Sequence, residues 1–329
     1  MKDTRMIVGD VGGTNCRLAS CDPLSGRIED FQIFAVRDFK SLGEVIQVFK
    51  ESHSSVTFHR ASIAIANPIV GDMIKMTNAH WAFSIEQTRK SCGLGELLML
   101  NDWEAVALAL PHLTEAQLRK VNQVPETPGG NKALLGVGTG LGAAGLVRIQ
   151  DSSWVPVAGE GGHVSFCPAN KDEIEIFGIL RRHHEHVSFE KILSGPGLKA
   201  LYEATRELSG VISMEDLAPS EILAGAAKAS DPVCQRTLKI FCGVLGSFAG
   251  NLCLTVGAIG GVYVGGGVIE KIDEAGLFDR DIFLSRLTHK GRLSEWLGNI
   301  PAFLLSTPYA GLMGAAAALG VPNVSVIET

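Results

Sequence analysis

The sequence predicts an α/β protein built as two domains, and three observations predict it. Short apolar runs of strand length alternate with helical patterns along the chain. Two segments, one in each half, share a plan of strand, tight glycine turn and strand. The length, 329 residues, is too great for one ordinary core and comfortable for two.

The first hairpin has an apolar run at 6–10, a glycine turn at 11–14 and a second run at 16–21. The second goes from a run at 133–137 through a turn at 138–142 to 143–149. A third strand candidate follows each, at 28–35 and 154–158. Such hairpins add antiparallel strands to a mixed sheet. Between them the pattern predicts a helix over 42–52, a strand over 61–66 and a buried strand over 97–100 that ends in Asn101-Asp102. The second half is richer in helix, at 172–184, 198–208, 220–229 and 231–256, and a small-residue helix over 309–319 closes the chain. The stretch 126–131, with Pro128, Gly129 and Gly130, is the linker candidate and puts a domain boundary between 111 and 131.

Hydrophobic residues make up 46% and charged ones 19%, the balance of a packed protein rather than a disordered one. The net charge of −6 is spread without a basic block, which argues against nucleic acid as a partner. Residues 1–5 show neither the apolar core nor the cleavage site of a signal peptide. The most apolar stretch, 241–264, is broken by glycines and Asn251, and reads as a buried helix followed by a strand, not a membrane span. Seven scattered cysteines, an odd number without any Cys-x-x-Cys pair, suit buried thiols in a reducing cytosol.

Three glycine clusters are candidates for holding a nucleotide. Gly9-Asp10-Val11-Gly12-Gly13-Thr14 lets the backbone turn sharply and present N–H groups to an anion. Asp10, at the strand end, suits Mg²⁺ held directly or through water; the alternative is a solvated aspartate on a glycine hairpin. Gly138-Thr139-Gly140-Leu141-Gly142 is a second such turn, and two similar loops could clasp a triphosphate. Gly265-Gly266-Gly267 is either a strand-to-helix turn or a place of close backbone approach to a flat ligand such as a nucleobase. None matches Gly-x-x-x-x-Gly-Lys-Ser/Thr, which excludes a Walker-type loop.

The acidic candidates lie elsewhere. Asp102 ends a buried strand, where open α/β sheets place their ligands. It could accept a hydroxyl proton while Asn101 holds a neighbouring hydroxyl, or it could cap the helix beginning at Trp103; in isolation the cap is the stronger reading. In Gly159-Glu160-Gly161-Gly162-His163 the glycines let a turn aim an acid and an imidazole into one cavity. Glu190, ahead of Leu193-Ser194-Gly195-Pro196-Gly197, reads by itself as a helical surface glutamate. His183, His184 and His186 read as the polar end of the helix from Asp172, because adjacent histidines on a helix face different ways.

Assembled in order, these segments resemble the bacterial glucokinases of the type lacking zinc, from about residue 6 to about 320. The resemblance is carried by Gly-Asp-Val-Gly-Gly-Thr-Asn, the Met-Thr-Asn-x-x-Trp-Ala-Phe-Ser stretch at 76–84, Asn101-Asp102, the turn at 136–142, Gly-Glu-Gly-Gly-His, Glu190 with Leu-Ser-Gly-Pro-Gly, and the glycines of 260–267. It implies the actin-like ATPase (RNase H-like) fold with mixed sheets and an interdomain cleft, residues 1–111 plus 303–329 making the small domain and 112–302 the large one. It implies transfer of the ATP γ-phosphoryl group to the 6-hydroxyl of D-glucose, the first step of glycolysis, with another hexose as the alternative substrate. By motif, Asp102 is the implied general base, and Asn101, Asp102, Glu160, His163 and Glu190 are the implied sugar ligands. Gly9, Asp10, Val11, Gly12, Gly13 and Thr14, with Gly138, Thr139 and Gly140, are implied to hold phosphates, Gly265 and Gly266 to meet the nucleotide, and Asp10 to hold Mg²⁺ through water. The ROK relatives carry a cysteine-rich zinc motif after the glycine–histidine segment; here Cys167 stands alone, so zinc is not expected. A cytoplasmic homodimer is the implied assembly.

Overall fold

Alternate residues of a strand face opposite sides of its sheet, and the first strand uses both. The computed structural model describes residues 3–76, 79–149, 153–211, 216–228 and 231–327. In it, Ile7 and Val11 of β1 (Asp3–Val11) share a core with helix α1 (Leu42–Ser52). Met6 and Val8, on the other face, pack with the helix Ala310–Ala318. The chain divides into two units, Met1–Thr114 with Thr307–Thr329, and Glu115–Ser306.

In the first unit β1, β2 (Asn15–Cys21) and β3 (Arg27–Ala35) form an antiparallel meander, with the short strand Ser325–Val326 beyond β3. On the other side of β1, β4 (Val56–Ile65) pairs parallel. A separate hairpin, β5 (Met73–Lys75) and β6 (Ala82–Ser84), leads into α2 (Ile85–Ser91), capped by the Ser84 hydroxyl. Trp81 is fully buried there and donates its indole N–H to the Phe39 carbonyl at 2.8 Å. Thr77 and Asn78 of the same motif lie outside the described residues. Next, β7 (Glu96–Asn101) joins β4 in parallel and runs directly into α3 (Asp102–Ala109). The register sets the ends of these strands level: Val11 lies opposite Ile65, and Ile65 opposite Asn101.

The second unit repeats the plan. β8 (Leu118–Lys120), β9 (Lys132–Val137), β10 (Leu141–Arg148), β11 (Trp154–Gly159), β12 (Gly261–Gly265) and β13 (Ala302–Leu305) lie in the order β11-β10-β9-β12-β13-β8. Again a three-stranded antiparallel meander continues into two parallel neighbours, with β8 antiparallel at the far edge. Helices α4 (Lys171–Arg181), α5 (Gly195–Leu208), α6 (Pro219–Ala227), α7 (Pro232–Val256), α8 (Gly267–Glu274), α9 (Arg280–Thr288) and α10 (Ser294–Gly298) complete it. By length and composition α7 could cross a membrane. Here it is the core helix of the unit, with Phe241, Val244, Leu245 and Phe248 buried.

Three expectations change. The stretch 126–131 is no interdomain linker: it lies inside the second unit, where Glu126 meets the Lys132 ammonium at 3.1 Å and Lys132 reaches the Tyr263 hydroxyl at 2.5 Å. The division falls between Thr114 and Glu115, within the expected 111–131, and residues 303–306 go with the second unit because β13 pairs in register with β12. Helix α4 ends at Arg181, so His183, His184 and His186 lie beyond it; Ala229, the expected end of α6, is outside the described residues.

Close approach of helices also governs the first unit. Gly314 faces α3 so tightly that a Cβ would collide with the Ala105 carbonyl. Gly314→Ala is expected to cost about 1–3 kcal/mol, read as a lower urea midpoint; an unchanged midpoint would mean that the two helices part freely.

Candidate active site

In the first unit a candidate site forms where β1, β4 and β7 end together. The turn after β1 closes when the Gly12 N–H donates to the Asn15 carbonyl at 2.9 Å. A cavity of about 310 Å³ opens there, lined by Asp10, Val11, Gly12, Gly13, Thr14, Asn15, Arg17, Ile33, Ala66 and Asp102. The phosphate-turn candidates and the base candidate thus share one space, as expected of strand ends in an α/β sheet.

Asn101, not Asp102, caps α3. Its amide oxygen accepts the Trp103 N–H at 3.0 Å and the Glu104 N–H at 3.4 Å, and Glu104 closes the capping box from the other side. Asp102 is therefore the first residue of the helix. Its Oδ1 shares the Trp103 N–H at 2.9 Å. Burial pushes its carboxyl up to about 6, the Trp103 N–H opposes that rise, and the Asp10 carboxylate adds to it. Asp10 is itself raised by burial, with the Arg17 guanidinium pulling the other way. Helix Ala310–Ala318 closes over Asp10, since a Cβ on Gly311 would lie 3.2 Å from the Asp10 Cγ.

Sequence reasoning missed Arg17. It stands directly across the ladder from Asp10, donates to the Pro308 carbonyl at 2.8 Å and packs over the Tyr309 ring. The signal was available: a lone cation in an otherwise apolar strand, opposite an aspartate.

In the second unit Glu160, His163 and Glu190 gather. His163 Nε2 lies 3.9 Å from Glu160 Oε2, and its Nδ1 lies 4.0 Å from Glu190 Oε1. Two features bring them together. Gly162 packs so closely on β10 that a Cβ would strike the Leu141 carbonyl, which seats the turn Gly161–His163 at the strand end. The segment after His163 is then laced to the segment before Glu190: the Phe166 N–H donates to the Val187 carbonyl at 2.9 Å, and the Phe189 N–H to the Val164 carbonyl at 3.1 Å. His186 adds a bond of 2.9 Å to the His163 carbonyl, a role its place in a histidine run did not suggest.

The turn at 138–140 lies against the same group. The Gly138 N–H donates to the Gly140 carbonyl at 2.9 Å, and the Leu141 N–H, just past the turn, donates to Glu190 Oε2 at 2.9 Å. Gly266 caps α8 beside it with φ 96°, and a Cβ there would strike the Val137 carbonyl, so this cluster needs glycine for its conformation and for its neighbour. Among the described residues no group of three or more His, Cys, Asp and Glu side chains is arranged to hold a metal, and Cys167 is exposed.

Known proteins match this chain along nearly its whole length. The family model described as Glucokinase matches residues 7–321. The glucokinase of Aromatoleum aromaticum is 43% identical over 95% of this chain and 94% of its own. A solved glucokinase from an Antarctic psychrotroph superposes with a TM-score of 0.88 at 33% identity, covering 96% of this chain and 98% of that one. A ROK family glucokinase from Streptomyces griseus, in complex with glucose and AMPPNP, shares the fold at a TM-score of 0.63 and 18% identity, covering 95% of this chain and 97% of that one. The two mixed-sheet units are those of the actin-like sugar-kinase fold.

Because burial raises the folded-state value of Asp102, its proton is held more tightly folded than unfolded. Stability contributed by the neutral carboxyl is present at low pH and is lost as pH rises through about 6. Asp102→Asn, which never ionises, is expected to match the parent at pH 4 and to exceed it at pH 7.5, by up to about 3 kcal/mol. Thermal unfolding at both values checks this; a less stable variant at pH 7.5 would show that the ionised carboxylate is well solvated.

Proposed function

The chain belongs to the glucokinase family, and from that premise we propose how it phosphorylates glucose with ATP: Asp102 takes the proton of the attacking 6-hydroxyl, while Asn101, Glu160, His163 and Glu190 hold the sugar. The observation that carries this reading is that Asn101 does the capping, which leaves Asp102 half-buried just past a strand end, in one cavity with a glycine turn. A base is most useful when its proton affinity is near that of its working medium, and a carboxyl raised to about 6 accepts a proton better than an ordinary aspartate. Asn101 spends its amide oxygen on the cap, so its NH₂ group is what it offers a sugar.

Glucose is neutral, and its hydroxyls are read by hydrogen bonds alone. Carboxylates accept them and an imidazole can donate, which fits the grouping of Glu160, His163 and Glu190 without lysine or arginine. The turns 12–14 and 138–140 present backbone N–H groups to phosphates, and Gly265 and Gly266 allow close approach of the nucleotide. Arg17 supplies positive charge for the transferring group.

Asp10 fits a magnesium ion: Mg²⁺ takes one or two carboxylates and fills its other positions with water and phosphate oxygens. The cavity offers that carboxylate next to a bare backbone turn. When bound, Mg²⁺ neutralises charge on the phosphates. The same reading makes the protein a cytoplasmic homodimer that takes no zinc.

Asp102→Ala is expected to remain folded and to lose at least about two orders of magnitude in kcat. The parent's kcat/KM should fall as pH drops through about 6, because a protonated carboxyl cannot receive the hydroxyl proton. A coupled ADP-release assay reads both, and near-normal turnover of the variant would remove Asp102 from the mechanism. In the same assay Glu160→Gln should raise KM for glucose several-fold more than KM for ATP. Equal rises would make Glu160 a structural residue.

A further inference from the structure

Glu190 has two oxygens with different surroundings. Oε1 faces His163 at 4.0 Å, on the side assigned to sugar. Oε2 accepts the Leu141 N–H at 2.9 Å, where the chain leaves the 138–140 turn. The fit on that side is tight, since a Cβ on Gly140 would lie 2.6 Å from Oε2. The other arm of the turn is gripped as well: the Gly195 N–H donates to the Gly138 carbonyl at 2.8 Å.

The segment between these two grips is held rigidly. The Ser194 hydroxyl donates to the Glu190 carbonyl at 2.8 Å and accepts the Gly197 N–H at 2.9 Å, capping α5. Gly197 sits so close that a Cβ would lie 2.7 Å from the Glu190 carbonyl oxygen. One short segment therefore carries a sugar-side carboxylate and both fastenings of a phosphate turn.

We propose that Glu190 is a positioning residue for the 138–140 turn as well as a sugar ligand, one carboxylate oxygen serving each, so that a single side chain sets the sugar and nucleotide subsites of the second unit. The proposal rests on the glucose kinase reading above. It follows that damage at one subsite is felt at the other, although the ligand of that other subsite does not touch the altered residue.

Three variants test this by steady-state kinetics and by calorimetric titration of glucose without nucleotide. Glutamine keeps a carbonyl oxygen for the Leu141 N–H but loses the charge, so Glu190→Gln should raise KM for glucose and leave KM for ATP within about twofold. Glu190→Ala loses both oxygens and should raise both KM values about tenfold or more. Gly140→Ala, in the phosphate turn, should displace Oε2 and weaken glucose binding about tenfold with no nucleotide present. Equal ATP KM values for the glutamine and alanine variants, or parental glucose binding by Gly140→Ala, would overturn the positioning role. Should Glu190→Ala fail to fold, the Gly140→Ala titration decides alone. Parental turnover is measured alongside: no glucose-dependent ADP release refutes the kinase reading, whereas normal release with no cross effect refutes only this inference.

Discussion

The hydrogen bonds from the backbone of α3 to the Asn101 side chain settle what the next residue is free to do. A helix that starts at the end of a buried strand leaves several N–H groups without partners, and some side chain must answer them. Because Asn101 and Glu104 do so together, Asp102 is not consumed as a cap. It keeps its position at the positive end of the helix, which favours its ionised form, while burial and Asp10 favour its neutral form. A carboxyl under these opposed pulls changes its proton at about 6, above the usual carboxylate range. Had the cap fallen one residue later, the same aspartate would be locked as an acceptor of backbone N–H groups.

Glycine plays the matching part in the second unit, but for steric reasons. Gly162 must let the turn lie on the Leu141 carbonyl, Gly140 must leave room for the Glu190 carboxylate, and Gly197 must pass beside the Glu190 carbonyl. Each is a place where backbone or carboxylate occupies the volume a methyl group would need. The grouping of Glu160, His163 and Glu190 thus depends on atoms that are absent. That is why side chains separated by up to thirty positions can meet around one imidazole.

Much of this was legible in the sequence, and the failures have physical causes. Helix 42–52 and the two glycine hairpins were visible because periodicity and turn chemistry are local properties. The linker reading of 126–131 failed because proline and glycine announce a turn but say nothing of what the turn touches; Glu126 is held by Lys132 and Tyr263, the latter far along the chain. The capping residue was placed one position late because aspartate and asparagine cap about equally well, and only backbone angles tell which one stands outside the helix. His186 was read with its neighbours as a polar helix end, yet the helix had already stopped and its ring bonds to the His163 carbonyl, a contact with no local signature. Arg17 is readable from strand alternation, which sets it across the hairpin from Asp10.

The repetition of one sheet plan in the two units explains how the chemistry is divided. A hairpin with a bare glycine turn is a general device for an anion, and the chain carries it twice, at 12–14 and at 138–140. What differs is the acid set beside each turn. In the first unit it comes from the ends of parallel strands: Asp10 is the penultimate residue of β1, and Asp102 follows Asn101, the last residue of β7. In the second unit β9, the strand corresponding to β1, ends in Gly136 and Val137 without a carboxylate, and the acid arrives from the segment between Val187 and Ser194, Glu190. A carboxylate on a strand end is fixed by the sheet and suits proton transfer, which tolerates little displacement. A carboxylate on a laced loop takes its position from several hydrogen bonds at once, and so can answer to more than one ligand. In the proposed function the duplicated turns are the two anion sites, Asp102 of the first unit is the base, and the acids of the second unit are the sugar receptor.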